Sequence, residues 1–358
     1  MTMKRLINLK RVEARRIFIT YALVTAAFVI LQVMSSTKIL SSSMRGMLVP
    51  ICAYMVMAVS LNLVVGVLGE LSLGHAGFMS IGAFSGVAAA MLLQNVIPFA
   101  PVRLALAMVV AAVFAAIAGF LIGIPVFRLK GDYLAIVTLA FGEIIKSLLN
   151  NFYLGVDSGG LHFSMLVDNT RLLEGGKLII RGPMGISGIQ KISTFPMGFV
   201  LTLIALAVVF NLVNSRGGRA FMAIRDDRIA AESIGINIMR YKMMAFVTSA
   251  ALAGAAGCLF AMNYSTIVAN KFDFNTSILV LVFVVLGGQG NMLGSIVAAA
   301  ALTILPEKLR QFADYRMLLY AIVLIMAMLV ANNLTVRRFF DRFNPFANRE
   351  EEEDDISR

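Results

Sequence analysis

The sequence predicts an all-α polytopic membrane protein with about ten transmembrane helices, some of them short or broken. Hydrophobic residues make up 59% of the 358 positions and charged residues only 14%, whereas soluble domains are about 45–50% apolar and about 25% charged. The apolar residues also fall in runs close to the roughly 20 residues that a helix needs to cross a bilayer. One membrane-embedded unit therefore fits the composition better than two soluble domains.

The apolar runs define the predicted spans in chain order. A basic segment, 1–16, precedes the first run, which is longer than the core of a cleaved signal peptide and lacks a small-residue cleavage pattern, so we expect it to be retained. The membrane unit covers 17–332, with candidate spans at 17–34, 47–66, 77–94, 102–127, 133–153, 197–214, 243–263, 276–288, 293–305 and 316–332.

The predicted spans 276–288 and 293–305 are short and are separated by a glycine-rich stretch. They are either two short helices that meet at a break or one long span with a disrupted middle. Such breaks are tolerated in a membrane where the backbone is buried in protein or lines a cavity. The sequence leaves this choice open.

Two long polar stretches interrupt the helices. The glycine-rich segment 154–196 is predicted to lie outside the cell membrane as an ordered cap of short elements, and 215–242 is predicted to be cytoplasmic. Lys and Arg are more frequent in the segments that this arrangement places inside, so both termini are predicted to be cytoplasmic. The tail, 333–358, ends in an acidic run, 350–355, that is typical of a solvated end.

Several classes of function are disfavoured by what the sequence lacks. The net charge of +11 comes from basic residues that flank apolar runs, not from a basic stripe, so no nucleic-acid partner is expected. Cys52 and Cys258 lie in apolar runs and predict neither a disulfide nor a metal site. Two histidines without a zinc motif argue against metal catalysis. No phosphate-binding P-loop is present, so if the protein carries out active transport, the energy must come from an ion gradient or another subunit.

The segment from Gly66 to Gly77, GVLGELSLGHAG, is unusual between two apolar spans because it combines four glycines with Glu70, Ser72 and His75. An unwound backbone here could present carbonyls and amides to a polar solute. It could equally be a tight cytoplasmic turn in which His75 is simply hydrogen-bonded. The residues alone leave both interpretations open.

Glu143 and Lys146 lie three residues apart in an apolar run and therefore share one helix face. Ionisable residues within a span are functional candidates, and together with His75 they could form the ion relay of a secondary transporter. The alternative is that Lys146 extends toward the membrane surface and Glu143 only compensates its charge.

An amphipathic helix is predicted within 219–242, with charges clustered around Arg225 to Arg228. Such a helix could dock into a groove on a soluble partner, and a membrane scaffold without transport activity would also use it in this way. It could otherwise lie on the membrane surface.

Four sequence segments, in order along roughly residues 47–305, are typical of one family. They are GVLGELSLGHAGFMSIGAF, RLKGDYLAIVTLAFGEIIK, GRAFMAIRDDRIAAESIGINIMRYKMMAFVTSAALAGAAG and VLVFVVLGGQGNMLGSIVAAA. They resemble the LivM-type permease subunit of bacterial branched-chain amino-acid ABC importers. The resemblance implies the ABC importer permease fold and a transport subunit that is not an enzyme, in the bacterial inner membrane. Similar permeases import urea, amides or other amino acids, which therefore remain alternatives.

The resemblance also implies partners and site residues. The partners would be a second, LivH-type permease, two cytoplasmic ABC ATPases that bind the ATP, and a periplasmic amino-acid-binding protein. The residues matching the ATPase-coupling segment are Arg225, Asp226, Asp227, Ala230, Ala231, Glu232 and Gly235. The residues expected to border the translocation path are Ser72, Gly74, His75, Gly77, Gly287, Gly288 and Gly290.

Overall fold

Helices dominate the computed structural model, which describes residues 3–37, 41–94, 96–128, 133–157, 160–165 and 177–309 and scattered helical positions between 318 and 329. Side chains are described from Phe18 onward at nearly all of these positions. The α-helices are α1 (Met3–Ser36), α2 (Ser42–Asn62), α3 (His75–Leu92), α4 (Ala100–Val126), α5 (Tyr133–Asn150), α6 (Phe195–Val213), α7 (Arg216–Asp226), α8 (Arg228–Ser233), α9 (Ile238–Ala261), α10 (Phe274–Gly287) and α11 (Met292–Lys308).

Within the described residues, eight helical segments are long and apolar enough to cross a membrane. They are Phe18–Ser36, Ser42–Val67, His75–Leu92, Ala100–Val126, Tyr133–Asn150, Phe195–Val213, Ile238–Ala261 and Ala269–Gly287. These segments correspond to the first eight predicted spans and confirm the all-α polytopic fold class. The ninth predicted span, 293–305, corresponds to the 17-residue helix α11. The tenth predicted span, 316–332, lies mostly outside the described residues.

Two differences from the prediction concern the polar loop 215–242. Helix α9 begins at Ile238, so the last five residues of the predicted polar loop 215–242 belong to a span. The single amphipathic helix predicted within that loop is two helices, α7 and α8, because Asp227 adopts an extended conformation and caps the second one with its side chain.

The glycine-rich stretch after α10 separates two distinct helices. Helix α10 ends at Gly287, Gly288 and Gly290 both have positive φ angles, and α11 begins at Met292. The structure therefore favours two helices over one disrupted span. The chain divides after Ala300 into two compact units. Every contact described below lies in the first unit, and the described part of the second consists of the end of α11 and the scattered positions.

Small residues bring α3, α4 and α9 into close contact. The buried face of α4 carries alanine or glycine at every fourth position, at Ala107, Ala111, Ala115, Gly119 and Gly123, a spacing that places them in one row along the helix. Helix α9 meets this row through a glycine, Gly254, against Ala111 and Ala115, and meets α3 at Gly82. Small residues let membrane helices approach closely enough for extensive van der Waals contact.

The segment predicted as an ordered loop, 154–196, contains short strands. Strands β1 (Phe152–Asp157), β2 (Gly160–Met165) and β3 (Lys177–Arg181) form an antiparallel sheet in the order β2-β1-β3. A two-residue strand, β4 (Ile186–Ser187), pairs with β5 (Thr266–Ile267), which follows α9. This pairing attaches the loop to the end of a buried helix. Residues 166–176 lie outside the described part.

Candidate functional site

Helix α2 loses regular geometry before it reaches α3. Residues Leu63–Val67 form a π-helical turn, residues 68–74 are not helical, and α3 begins at His75. Such π-turns often occur at functional sites. The segment Gly66–Gly77 was predicted to be unwound. Its first two and last three residues are helical, so the unwound part is shorter than the prediction.

The broken end of α2 meets the break between α10 and α11. The Asn62 side chain, fully buried, accepts a hydrogen bond from the backbone N–H of Gly290 at 2.8 Å and donates one to the Ser295 hydroxyl at 2.9 Å. The backbones of Gly66 and Gly290 touch, since a β-carbon on Gly66 would overlap the Gly290 main chain. We name this contact between Asn62, Gly66, Gly290 and Ser295 the junction.

His75 lies at the start of α3 and is 1% exposed. Its Nε2 is 3.0 Å from the Ser60 hydroxyl and 3.2 Å from the Ser249 hydroxyl, which links α2, α3 and α9. Both hydroxyls already donate to backbone carbonyls, those of Met57 and Ser60. The neutral ring is therefore assigned its hydrogen on Nε2, where it can donate to both serine oxygens.

Two buried polar atoms beside the unwound segment have no hydrogen-bond partner among the residues that the structure describes. They are Nδ1 of His75, an acceptor in the assigned tautomer, and the hydroxyl of Ser72. Most buried polar atoms are hydrogen-bonded, and exceptions call for an explanation. The unused hydrogen-bonding groups of Ser72 and His75 are consistent with their predicted position beside a path for a polar solute.

The N-terminus of α3 packs against α5 and α10. The Thr138 hydroxyl of α5 accepts from the backbone N–H of Leu73 at 3.1 Å, and the Ser277 hydroxyl of α10 accepts from that of Ala76 at 3.2 Å. Two of the predicted path residues, Gly74 and Gly77, lie against the α5 backbone. The structure thus brings Ser72, Gly74, His75 and Gly77 together, and the junction brings Gly290 next to the same segment.

Glu143 and Lys146 form an ion pair on α5. The Lys146 side chain is 24% exposed and that of Glu143 is 40% exposed. Neither residue belongs to the junction or to the His75 cluster. Glu143 nevertheless lines a small cavity together with Leu73, Ala76 and Ser277 at the start of α3, and a role for the pair in transport stays a prediction.

The predicted coupling residues lie at the end of α7, on α8 and at the two caps of α8. The Asp227 carboxylate accepts from the backbone N–H groups of Ile229 and Ala230 at 2.8 and 3.0 Å and so caps α8 at its N-terminus. At the other end, Gly235 has a φ of +84°. The backbone N–H of Gly235 donates to the Glu232 carbonyl, and the backbone N–H of Ile236 donates to the Ala231 carbonyl. This is the Schellman arrangement, which ends a helix at a residue in the left-handed conformation.

The short helix α8 presents two large apolar side chains to solvent. Ile229 is 80% exposed and Ile234 is 74% exposed, whereas Ala231 faces inward and is 2% exposed. A β-carbon added to Gly235 would have no neighbour within 4 Å. We name residues 226–235 the docking segment, because exposed isoleucines on a capped helix match the helix-in-groove mode of protein recognition.

The Arg225 side chain makes hydrogen bonds within the chain. Its guanidinium donates to the Gly66 carbonyl at 3.3 Å and to the Asp226 carboxylate at 3.0 and 3.1 Å. The sequence assigned Arg225 only to the rim of a partner, and it missed this internal contact. Lys242 of α9 likewise forms an ion pair with Glu70 of the unwound segment.

Comparison with known proteins decides the family. The sequence profile of a family described as the permease component of branched-chain amino acid transport systems matches residues 43–330. This chain belongs to that permease family. The match includes every predicted site residue, from Ser72 to Gly290.

Named relatives of this permease differ in how far they match. The high-affinity branched-chain amino acid transport system permease proteins LivM of Escherichia coli (strain K12) and of Salmonella typhimurium are 36% and 37% identical over 291 residues, which is 77% of this chain and 66% of theirs. The fructose import permease protein FruG of Bifidobacterium longum is 24% identical over 237 residues, 63% of this chain and 65% of its own. The chain thus spans just under two thirds of the length of the LivM relatives. No solved structure matches this permease.

Among the described residues of the permease, no group of three or more histidine, cysteine or acidic side chains could hold a metal ion. Among the residues that sequence reasoning did not select are Asn62 and Ser295 of the junction, Ile229 and Lys242, and it singled out Glu70 without its partner. Asn62 had a detectable signal, an amide in an apolar run four residues before a glycine-rich motif. The partners of Glu70 and Lys242 could not be found, since 172 positions separate them.

Proposed function

We propose that this permease is the transmembrane subunit of an ATP-driven ABC importer for branched-chain amino acids: leucine, isoleucine and valine. The observation that carries the proposal is the family match over residues 43–330. The two LivM relatives, which carry that substrate in their names, are 36% and 37% identical, compared with 24% for the fructose permease. Urea, amides and other amino acids are the alternative solutes.

The proposed assembly contains this chain, a LivH-type permease, two cytoplasmic ABC ATPases that bind the ATP, and a periplasmic amino-acid-binding protein. It lies in the bacterial inner membrane with both termini of this chain in the cytoplasm. The excess of Lys and Arg in the segments assigned to the inside supports that orientation. In the same orientation, the docking segment faces the cytoplasm, where the ATPases are.

The docking segment is the proposed ATPase contact. Its helix is capped at both ends within the chain, so it is already formed before a partner binds. The exposed Ile229 and Ile234 supply apolar anchors, and Asp226, Asp227 and Glu232 supply a charged rim. Buried apolar anchors within a polar rim are the usual anatomy of a protein interface.

The proposed transport mechanism is alternating access driven from outside the chain. ATP binding closes the two ATPases against each other, the docking segment moves with them, and the permease pair changes the side to which its cavity opens. The unwound segment with Ser72 and His75, together with the glycine break at 287–290, borders the proposed path. Broken helices at such sites offer free backbone groups to a polar solute.

The test of this assignment is purification of the tagged permease from its native membrane in mild detergent, followed by reconstitution in liposomes. We expect a second permease and two P-loop ATPases to copurify. We also expect ATP-dependent uptake of leucine when the binding protein is added. If the chain purifies alone and transports when an ion gradient is applied, it is a secondary transporter and the proposal is wrong.

Gly235 gives a sharper test of the docking segment. Because φ is +84° and open space surrounds the residue, Gly235→Asn should keep the helix end, since asparagine tolerates this conformation. Gly235→Trp should add strain and a bulky ring at the interface. We expect Trp to reduce ATPase copurification and uptake at least tenfold with membrane insertion unchanged, and Asn to have a smaller effect. Normal uptake by the tryptophan variant would remove Gly235 from the interface.

A further inference from the structure

We propose that Arg225, Glu70 and Lys242 are positioning residues that transmit movement of the docking segment to the broken end of α2. The inference rests on the proposed function and deepens it, because it names the contacts by which ATPase motion would reach the path. None of the three residues was expected to make these contacts from the sequence.

The first contact is the cap that Arg225 places on the end of α2. The last carbonyls of a helix lack partners within the helix and carry its negative dipole end. The Arg225 guanidinium donates to one of them, the Gly66 carbonyl, at 3.3 Å. Its other nitrogens are held by Asp226 at 3.0 and 3.1 Å. One rigid, charged group therefore connects the first residue of the docking segment to the π-helical turn.

Gly69 makes room for the Arg225 side chain. Its φ of +78° is a left-handed conformation, and a β-carbon built on it would lie 2.5 Å from Cγ of Arg225. Any other residue at this position would displace the arginine stem as well as strain the backbone. The close approach of an arginine on α7 to the main chain thus depends on a glycine 156 positions earlier.

The second contact is the ion pair between Lys242 and Glu70. The Lys242 side chain is 6% exposed and that of Glu70 is 20% exposed. Removal of one partner from a buried pair leaves the other charge unpaired at high cost, so such pairs hold two elements in a fixed relation. Lys242 is the fifth residue of α9, the helix that follows the docking segment along the chain. Residues on both sides of the docking segment therefore contact the stretch from Gly66 to Glu70.

The far side of the same turn is the junction. Gly66, whose carbonyl is capped by Arg225, also touches the Gly290 backbone, and Asn62 binds Gly290 and Ser295. The contacts run in series from the docking segment through Arg225 and Gly66 to the break between α10 and α11. A displacement of α7 must either carry Gly66 with it or break the contact between them.

The experiment uses the complete reconstituted importer and follows three quantities: ATPase copurification, ATP hydrolysis and leucine uptake. Gly69→Ala displaces the Arg225 side chain, whose Cγ lies against Gly69, and leaves the sequence of the docking segment unchanged. Glu70→Lys and Lys242→Glu break the ion pair singly, and the double variant restores it with its charges exchanged. Arg219→Ala, at an exposed position on α7, is the matched control and should behave as the unmodified chain.

The expected result is a separation of hydrolysis from transport. Gly69→Ala should retain copurification and basal ATP hydrolysis while uptake falls at least tenfold. Each charge reversal should reduce uptake at least tenfold or prevent accumulation of the protein, and the double variant should recover at least a third of normal uptake. Normal uptake by Gly69→Ala, or a double variant no better than the single ones, would overturn the transmission role. If the unmodified chain recruits no ATPase, the proposed function fails and this inference fails with it.

Discussion

The trio of helices α3, α4 and α9 and the junction are both buried, yet they are held together by different interactions. In the trio, alanine and glycine bring three helices into contact along an apolar row. At the junction, an amide, a hydroxyl and backbone groups of two broken helices make directional bonds. Helices packed this closely through small residues cannot shift without loss of contact, whereas a few directional bonds can exchange between discrete arrangements. The trio is thus suited to be the fixed body of the permease and the junction its moving part.

The largest expected effect comes from a substitution that breaks the trio. In Gly82→Leu the first added carbon would overlap the Gly254 backbone, which has no side chain that could move away. We expect destabilisation of about 3 kcal/mol, the upper end of the usual range, since overpacking against a backbone forces it to shift. The measurement is the yield of monodisperse protein in detergent.

The control for this change is Gly46→Leu on α2, where a β-carbon would have no neighbour within 4 Å. It should accumulate normally. Comparable yields for the two variants would show that the trio is not the fixed body.

The second change addresses the junction. Asn62→Leu keeps the size of the side chain but leaves the Gly290 N–H without its bond, at a cost of about 1–3 kcal/mol for a buried group. We expect folded protein at reduced thermal stability and uptake lowered more than tenfold in the reconstituted importer. Asn214→Leu, at an exposed position after α6, should change neither quantity. Unimpaired uptake by Asn62→Leu would mean that the junction does not move during transport.

The third change tests whether His75 belongs to the fixed body or to the path. In His75→Leu, the hydroxyls of Ser60 and Ser249 keep their bonds to backbone carbonyls, so the loss of stability should be only about 1 kcal/mol. If the open Nδ1 borders the path, uptake should fall by more than tenfold in the same variant. A decrease in uptake that merely follows the decrease in folded protein would assign His75 a structural role alone.

The smallest effect is expected at the ion pair on α5. Lys146 lies about one turn from the C-terminal end of α5, where its side chain can extend toward the membrane surface, and Glu143 compensates its charge. The double variant Glu143→Gln, Lys146→Met should therefore retain at least half of normal uptake. Abolished uptake, with sensitivity of the unmodified chain to an uncoupler, would favour an ion-coupled transporter over the importer.

The fold was predictable from the sequence to a large extent, because apolar runs of membrane length determine where helices lie. The first eight predicted spans match helices to within a few residues at most of their ends. The break between α10 and α11 was located by its glycines, although only the structure distinguished two helices from one.

The local structure at the candidate sites was predictable where the sequence signal is local. Gly235 ends a helix, and Ser72 and His75 lie beside an unwound backbone, as a glycine-rich motif indicates. The direction of side chains was not predictable: Ala231 faces inward while Ile229 faces solvent. Contacts between distant positions were also beyond reach, since nothing near Arg225 indicates that its guanidinium binds a carbonyl 159 residues earlier.

The π-helical turn at Leu63–Val67 gives α2 one more residue than an α-helical turn would hold. An α-helix advances by about 100° per residue, so a return to α geometry would rotate everything beyond the turn by about that angle. Glu70 lies just past this turn, and Gly66, which binds Arg225, lies within it. Under the proposed mechanism, the extra residue at the end of α2 would let Glu70 move in a single discrete step.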